Sequence, residues 1–229
     1  MESMEATLLR AEPRRSVPSV AKERLKSPRV RLFVALDLPD DVRFEIEAWQ
    51  ARECIDEALR PIAPKALHMT LCFLGWRPEK AVPEIATIVT GVKPHPVPMS
   101  LEPDPLPIKG RRPGLFALDA PSEAATELQG ELEARLAERR FYKPEKRPFW
   151  PHVTVARVRT ERVTGSGGRR RRGKPRVVER WPGRLPEALE RPFDAVRVAL
   201  YRSNLRPQGA EYERLAALEL PPATGEPKE

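Results

Sequence analysis

The sequence repeats one four-residue pattern, His68-Met-Thr-Leu71 and His152-Val-Thr-Val155, at positions 84 residues apart. Each copy is a histidine, an apolar residue, a threonine and a second apolar residue. Successive side chains of a β-strand point to opposite faces, so the histidine and threonine of each copy share one face. The pattern therefore predicts two related strands, each with an apolar face towards a core and a polar face towards a common cleft.

Short β-type runs and amphipathic helical stretches surround both copies. Val30-Arg-Leu-Phe-Val-Ala-Leu36 favours a strand, and Asp40 is placed to cap the helix after it. Ser122 starts the strongest predicted helix, which has a leucine at every fourth position from 128 to 136. Further strands are predicted near residues 97–101, 114–118, 151–158, 195–201 and 215–220. This order lacks the regular alternation of a parallel doubly wound sheet, so we expect an α+β fold.

Charge is distributed unevenly over the 229 residues. The net charge is +8, and residues 1–29 and 158–184 carry +3 and +8 of it, which leaves the rest slightly acidic. We expect one domain over residues 30–220, a disordered basic tail at 1–29, a flexible Arg/Gly-rich insertion at about 159–184 and a disordered C-terminal tail at 221–229. The insertion has two interpretations, a solvated loop or an electrostatic attractant for RNA phosphates.

The remaining composition excludes several classes of protein. Cys54 and Cys72 show neither the spacing of a zinc knuckle nor a disulfide framework, and no other cluster has metal-ligand spacing, so we expect neither a metal nor another cofactor. No stretch is apolar for long enough to span a bilayer, and residues 1–29 are broken by charges and prolines. We expect a cytoplasmic monomer that has no obligate protein partner and does not associate with a membrane.

Two facing histidines suit displacement at a cyclic phosphate. The reaction needs a base to take a proton from water and an acid to protonate the departing ribose oxygen. Because imidazole has an ordinary pKa near 6.5, His68 and His152 can hold opposite protonation states near neutral pH. Thr70 and Thr154 can donate hydrogen bonds to the non-bridging phosphate oxygens. A single motif of this kind is more often structural, whereas the pair points to catalysis. His95 has no threonine two residues after it and is predicted to lie in a loop.

Four blocks of this sequence carry a family resemblance. They are Arg31-Leu-Phe-Val-Ala-Leu-Asp-Leu-Pro39, Leu67-His-Met-Thr-Leu-Cys-Phe-Leu-Gly75, Pro148-Phe-Trp-Pro-His-Val-Thr-Val155, and Leu200-Tyr-Arg-Ser203 with Gly209 and Tyr212 behind it. In order and spacing the chain resembles the RNA 2′,3′-cyclic phosphodiesterases, also called 2′-5′ RNA ligases, of the two-histidine phosphoesterase superfamily. The resemblance implies two pseudo-symmetric lobes, each with an antiparallel sheet, around a central groove.

The resemblance also implies roles and a substrate. The substrate is RNA with a 2′,3′-cyclic phosphate end and the product a 2′-phosphate, with His68 as proton donor to the 3′ oxygen and His152 as the base that activates water. Arg157 stands where the family has a basic residue that clamps phosphate. In an ideal strand, however, its side chain would point away from the groove, and the alternative is an ordinary exposed arginine. Phe33 and Trp150 could stack on a base or pack in the core.

Three alternatives to this function stay open at the level of sequence. The same site could join RNA ends through a 2′-5′ bond, or it could open another small cyclic phosphate. The chain could also be an RNA-binding module without catalysis, whose binding would depend steeply on salt.

Overall fold

The computed structural model describes residues 28–108, 112–163, 171–206 and 209–223. The strands are β1 (Arg29–Asp37), β2 (Leu59–Pro61), β3 (His68–Pro78), β4 (Pro98–Met99), β5 (Leu106–Ile108), β6 (Leu115–Asp119), β7 (His152–Val158), β8 (Thr160–Val163), β9 (Arg171–Pro175), β10 (Phe193–Asp194), β11 (Arg197–Arg206) and β12 (Gly209–Glu219). The helices are α1 (Asp40–Glu53), α2 (Val82–Thr90) and α3 (Glu123–Glu138).

One antiparallel sheet organises the domain. Its strands follow the order β12-β11-β1-β3-β7-β6-β5, and β2 pairs with β7. The sheet consists of two halves that meet between β3 and β7 at a single residue pair, Met69 and Val153. The α+β class predicted from the sequence is confirmed, and the two predicted lobes share one continuous sheet.

The helices cover the core face of the sheet, and two of them cross between the halves. After β1, helix α1 packs beneath β7, where Gln50 Nε2 donates to the main-chain oxygen of Val155 at 2.7 Å. After β6, helix α3 packs beneath β3 and buries the predicted leucine stripe, Leu128, Leu132 and Leu136. Helices α1 and α3 therefore each contact the half of the sheet opposite the strand that they follow, which ties the two halves into one core. Helix α2, which follows β3, packs on β11 and β12 of its own half.

Local details of the predicted elements differ in places. Ser122 caps α3 as expected, since its side chain accepts a hydrogen bond from the Ala125 amide. The prediction that Asp40 caps α1 was wrong by one residue: Pro39 is the N-cap, and Asp40 begins the first turn, where it pairs with Arg43. The strand predicted at 97–101 is the two-residue β4, and β12 begins earlier than predicted.

The structure describes the two ends of the arginine-rich segment that follows the second motif. Strands β8 and β9 pair as a hairpin, and the Glu179 and Arg180 amides both donate to Asp56 Oδ2 at 2.9 Å. Val178 is buried. Residues 164–170, like residues 1–27 and 224–229 of the predicted tails, lie outside the described residues, so the predicted flexibility stays a prediction.

No helix within the described part of the chain is both long enough and apolar enough to cross a membrane.

Candidate active site

The two motif strands meet at the point where the halves of the sheet join. Met69 and Val153 are fully buried and face each other across the antiparallel β3–β7 pair. One residue to either side, this register brings His68 next to Thr154 and Thr70 next to His152, on the opposite face of the sheet. Diagonal neighbours in such a pair lie about 7–8 Å apart, so both imidazoles border a space of phosphate size.

Both histidine rings are anchored in the same way. His68 Nδ1 lies 2.7 Å from the main-chain oxygen of Ala66, and His152 Nδ1 lies 2.7 Å from that of Trp150. A carbonyl oxygen only accepts, so Nδ1 is the donor in each ring, and Nε2 is left to exchange protons with a substrate. His68 Nε2 also lies 3.1 Å from Thr70 Oγ1. Each motif therefore aims Nε2 towards the shared groove.

Aromatic rings enclose His68. Its ring centroid lies 4.9 Å from that of Phe33 and 5.2 Å from that of Tyr212, which meets it edge-on. The pKa of His68 is lowered to about 4, chiefly by burial. The Ala66 carbonyl and Asp37 act to raise it, and the positive charges of Arg157 and Arg43 act to lower it. In the unliganded protein at neutral pH, His68 is therefore an uncharged imidazole.

A single indole covers His152. The Trp150 ring lies flat on the imidazole, with centroids 4.1 Å apart and an interplanar angle of 14°. Trp150 Nε1 donates to Asp119 Oδ1 at 2.9 Å. The ring that supports His152 is thus held by a hydrogen bond to the neighbouring strand β6.

Two aspartates of the site were not among the residues predicted from the sequence. Asp37, at the end of β1, pairs in register with His68, and Asp119, at the end of β6, pairs with His152. A second repeat in the sequence could have revealed them: Ala35-Leu-Asp-Leu-Pro39 and Ala117-Leu-Asp-Ala-Pro121 lie 82 residues apart, close to the spacing of the histidine motifs. Each half of the site is therefore an aspartate strand beside a histidine strand.

Asp37 is the more buried of the two aspartates, with 4% of its surface exposed. Tyr201 donates its hydroxyl to Asp37 Oδ1 at 2.6 Å. Arg43, Arg197 and Arg214 surround the carboxylate at 3.6, 3.4 and 4.0 Å. Because Tyr201 also stacks on Phe33, the contacts of Asp37 continue to one of the aromatic rings that enclose His68.

A β-bulge determines where Arg157 points. The β6–β7 register passes from Ala117–Thr154 to Phe116–Ala156, so Val155 is an extra residue in β7. The extra residue reverses the alternation, which places exposed Arg157 on the face of His152 and Thr154. The hydrogen bond from Gln50 on α1 satisfies the Val155 oxygen at this bulge. The structure thus removes the objection that Arg157 would point away from the groove.

The other aromatic and histidine candidates lie in different settings. Phe33 is buried beside His68, and Trp150 is partly exposed and stacked on His152, so neither lies apart from the catalytic candidates. His95 lies in the loop before β4, with Nδ1 2.9 Å from the oxygen of Pro96. Among the residues that the structure describes, no three side chains of the metal-binding types converge, so it offers no set of metal ligands.

Comparisons with known proteins identify the family of the chain. A family model described as the 2′-5′ RNA ligase superfamily matches residues 38–205. A Thermus thermophilus relative named RNA 2′,3′-cyclic phosphodiesterase is 30% identical over 199 residues, which cover 83% of this chain and 90% of the relative. An Escherichia coli relative of the same name is 30% identical over 134 residues, or 58% of this chain and 75% of the relative.

Solved structures share the fold over most of the chain. The crystal structure of E. coli LigT complexed with 3′-AMP has a TM-score of 0.64 at 23% identity and covers 84% of this chain and 99% of its own. A T. thermophilus crystal structure has a TM-score of 0.63 at 28% identity and covers 83% of this chain and 97% of its own.

Proposed function

This chain belongs to the 2′-5′ RNA ligase superfamily, and we propose that it hydrolyses RNA 2′,3′-cyclic phosphate ends to 2′-phosphomonoesters by acid-base catalysis without a metal. The observation that carries the proposal is the junction of β3 and β7, where two histidines and two threonines lie on one face around the Met69–Val153 pair. The names of the two relatives support the substrate class.

The reaction divides between the two Nε2 atoms. His152 takes a proton from water as the water oxygen attacks phosphorus, and His68 gives a proton to the 3′ oxygen as its bond to phosphorus breaks. The 2′ oxygen keeps the phosphate. Both Nδ1 anchors hold their rings in the tautomer that this exchange requires, because each Nδ1 proton is held by a main-chain oxygen.

The lowered pKa of His68 has to be reconciled with its role as acid. Burial disfavours the imidazolium in the free protein, where the pKa is about 4. A phosphate diester bound between the rings brings a negative charge next to Nε2, which favours the protonated form and raises the pKa. We therefore propose that His68 acquires its catalytic proton as the substrate binds.

Thr70, Thr154 and Arg157 complete the phosphate site in this proposal. The threonine hydroxyls lie on the groove face beside the opposite histidines, where they can donate to non-bridging oxygens. Arg157 reaches the same face through the Val155 bulge, and its charge acts on His68. A guanidinium at this position stabilises the negative charge that accumulates on the phosphate oxygens.

The test is hydrolysis of a short RNA with a 2′,3′-cyclic phosphate end in the presence of EDTA. The wild type should form a 2′-phosphate, and His68→Ala and His152→Ala should each lose at least about a hundredfold in rate. His95→Ala is the matched control because His95 lies in a loop outside the site.

Either variant at full rate would refute the two-histidine mechanism. An inert wild type that still binds RNA would favour a binding module. Joined RNA ends in place of a 2′-phosphate would favour the ligase reaction. Loss of activity in EDTA that returns with added metal would refute the metal-free part of the proposal.

A further inference from the structure

Two large aromatic side chains lie exposed on β3 beyond the histidine motif. Phe73 and Trp76 are 47% and 53% exposed. Three residues apart, they would point to opposite faces of a regular strand. The β1–β3 register passes from Phe33–Phe73 to Leu32–Gly75 and then to Arg31–Trp76, so Leu74 is an extra residue and the two aromatic residues share a face.

Gly75 makes this arrangement possible. Its φ of 69° lies in the left-handed region, which residues with a Cβ rarely adopt, at the bulge that turns Trp76 onto the face of Phe73. The same face carries the histidine motif, because alternate β1 residues pair with Phe73, Thr70 and His68 in turn. The step from Phe73 to Thr70 crosses a bulge at Leu71. The exposed rings are therefore an extension of the groove face of the active site.

Two arginines lie beside the rings. The Arg31 guanidinium carbon lies 4.7 Å above the centroid of Phe73, and Arg31 Nη1 donates to Ser203 Oγ at 3.3 Å. Arg29 Nη2 donates to the main-chain oxygen of Trp76 at 2.8 Å. Across the described ranges, the side-chain ion pairs include neither arginine. Their positive charge is thus available to an anionic ligand that lies across the rings.

Exposed rings next to uncompensated guanidinium groups suit single-stranded nucleic acid, whose bases stack on aromatic side chains while its phosphates attract arginine. A purely apolar partner would leave both charges buried without compensation. Five residues of strand separate Phe73 from His68, roughly 15 Å, which is farther than the terminal nucleotide extends from its phosphate. Bases on these rings would therefore belong to nucleotides upstream of the reacting end.

We propose that Phe73, Trp76 and Arg31 form a binding surface for the nucleotides 5′ of the cyclic phosphate end. This inference rests on the proposed function, because it takes the reacting phosphate to lie between His68 and His152. The surface makes the protein prefer an RNA strand to a single nucleotide. It contributes to binding and takes no part in proton transfer.

The test compares two substrates, a mononucleotide 2′,3′-cyclic phosphate and a tetranucleotide with the same end. The wild type should have the higher kcat/KM with the tetranucleotide. Phe73→Ala and Trp76→Ala should each raise KM for the tetranucleotide about tenfold through lost stacking and leave the mononucleotide unchanged within about twofold. Phe73→Tyr should retain the wild-type preference because it keeps the aromatic face. Phe44→Ala is the matched control, since Phe44 is equally large and 63% exposed on α1.

A second measurement separates failure of this inference from failure of the proposed function. Fluorescence anisotropy of a labelled tetranucleotide with a 2′-phosphate end reports binding without turnover, and Phe73→Ala should weaken it about tenfold. An inert wild type with this loss of affinity would overturn the hydrolytic function and support the surface. Equal effects on both substrate lengths, or unchanged binding in Phe73→Ala, would overturn the surface and leave the hydrolytic function in place.

Discussion

The two halves of the candidate active site share the same backbone frame and differ in the side chains that form the walls around each histidine. In both halves a strand that ends in Ala-Leu-Asp pairs with a strand that begins with the histidine motif, and Nδ1 of the histidine lies 2.7 Å from the main-chain oxygen two residues before it. Both histidine strands also carry an extra residue at the fourth motif position, Leu71 and Val155. The frame determines where each Nε2 lies.

The walls differ in burial and charge. His68 is enclosed by Phe33 and Tyr212, and its aspartate is buried among three arginines. His152 is covered by the indole of Trp150, and its aspartate, Asp119, accepts hydrogen bonds from that indole and from the Ala120 amide. A repeated backbone thus positions two identical groups, while their surroundings differ in burial and charge.

Substitution of the two aspartates is expected to give the largest difference in stability between the two halves of the site. Asp37→Asn leaves Arg43, Arg197 and Arg214 without their shared negative charge, and we expect a loss of about 3 kcal/mol in the free energy of unfolding. Asp119→Asn keeps an acceptor for the indole and should lose about 1 kcal/mol. Urea denaturation at pH 7 measures both. Equal losses would show that the two walls are energetically alike.

The pH dependence of stability is expected to single out His68. Above pH 6.5 the histidine is neutral in both the folded and the unfolded chain, so it has no effect. As the pH falls towards the folded pKa of about 4, the unfolded chain binds the proton first, and this site removes up to about 3 kcal/mol of stability. Urea denaturation between pH 7.5 and 4 should show a shallower decline in His68→Gln than in His95→Gln. Parallel curves would contradict the lowered pKa.

The residue two positions after each bulge also differs between the halves, with Arg157 in one and Phe73 in the other. If Arg157 binds the phosphate as proposed, Arg157→Ala should lower kcat about a hundredfold, because it removes a cationic donor. It should also raise the pKa of His68, since the guanidinium helps to lower it. Steady-state kinetics and NMR titration of the imidazole ring measure the two effects.

The exposed loop residue Arg147 provides the control, because Arg147→Ala removes the same charge outside the site. A loss of rate without a change in the pKa of His68 would place Arg157 beyond electrostatic reach of that ring.

Strand periodicity and repetition made part of the fold predictable from the sequence. The α+β class and the family resemblance are confirmed. Both were predictable because the apolar patterns and the four sequence blocks are local features that can be read along the chain. The leucine stripe of α3 and its Ser122 cap were predicted for the same reason.

Features that depend on pairing between strands were not predictable in this way. A bulge such as Val155 is defined against the partner strand, so the direction of Arg157 could not be derived from its own strand alone. The enclosure of His68 depends on Tyr212, 144 positions away in the sequence. The aspartates were a different case, because the Ala-Leu-Asp repeat can be seen in the sequence. Only its pairing with the histidines required the structure.

The smallest expected effect tests the wall of His152. Trp150→Ala removes the flat stack on the imidazole, while the main-chain oxygen of residue 150 still accepts from Nδ1, so the ring keeps its tautomer and loses part of its orientation. We expect kcat/KM to fall about three- to tenfold, with KM changed less than kcat. Trp150→Phe should restore most of the rate, because a flat ring suffices for the stack, and the lost hydrogen bond to Asp119 should appear mainly as lower stability. Trp181→Ala, a change to a half-exposed tryptophan outside the site, is the control. If Trp150→Phe is as slow as Trp150→Ala, the hydrogen bond to Asp119 positions His152, and the two halves of the site would both depend on their aspartates.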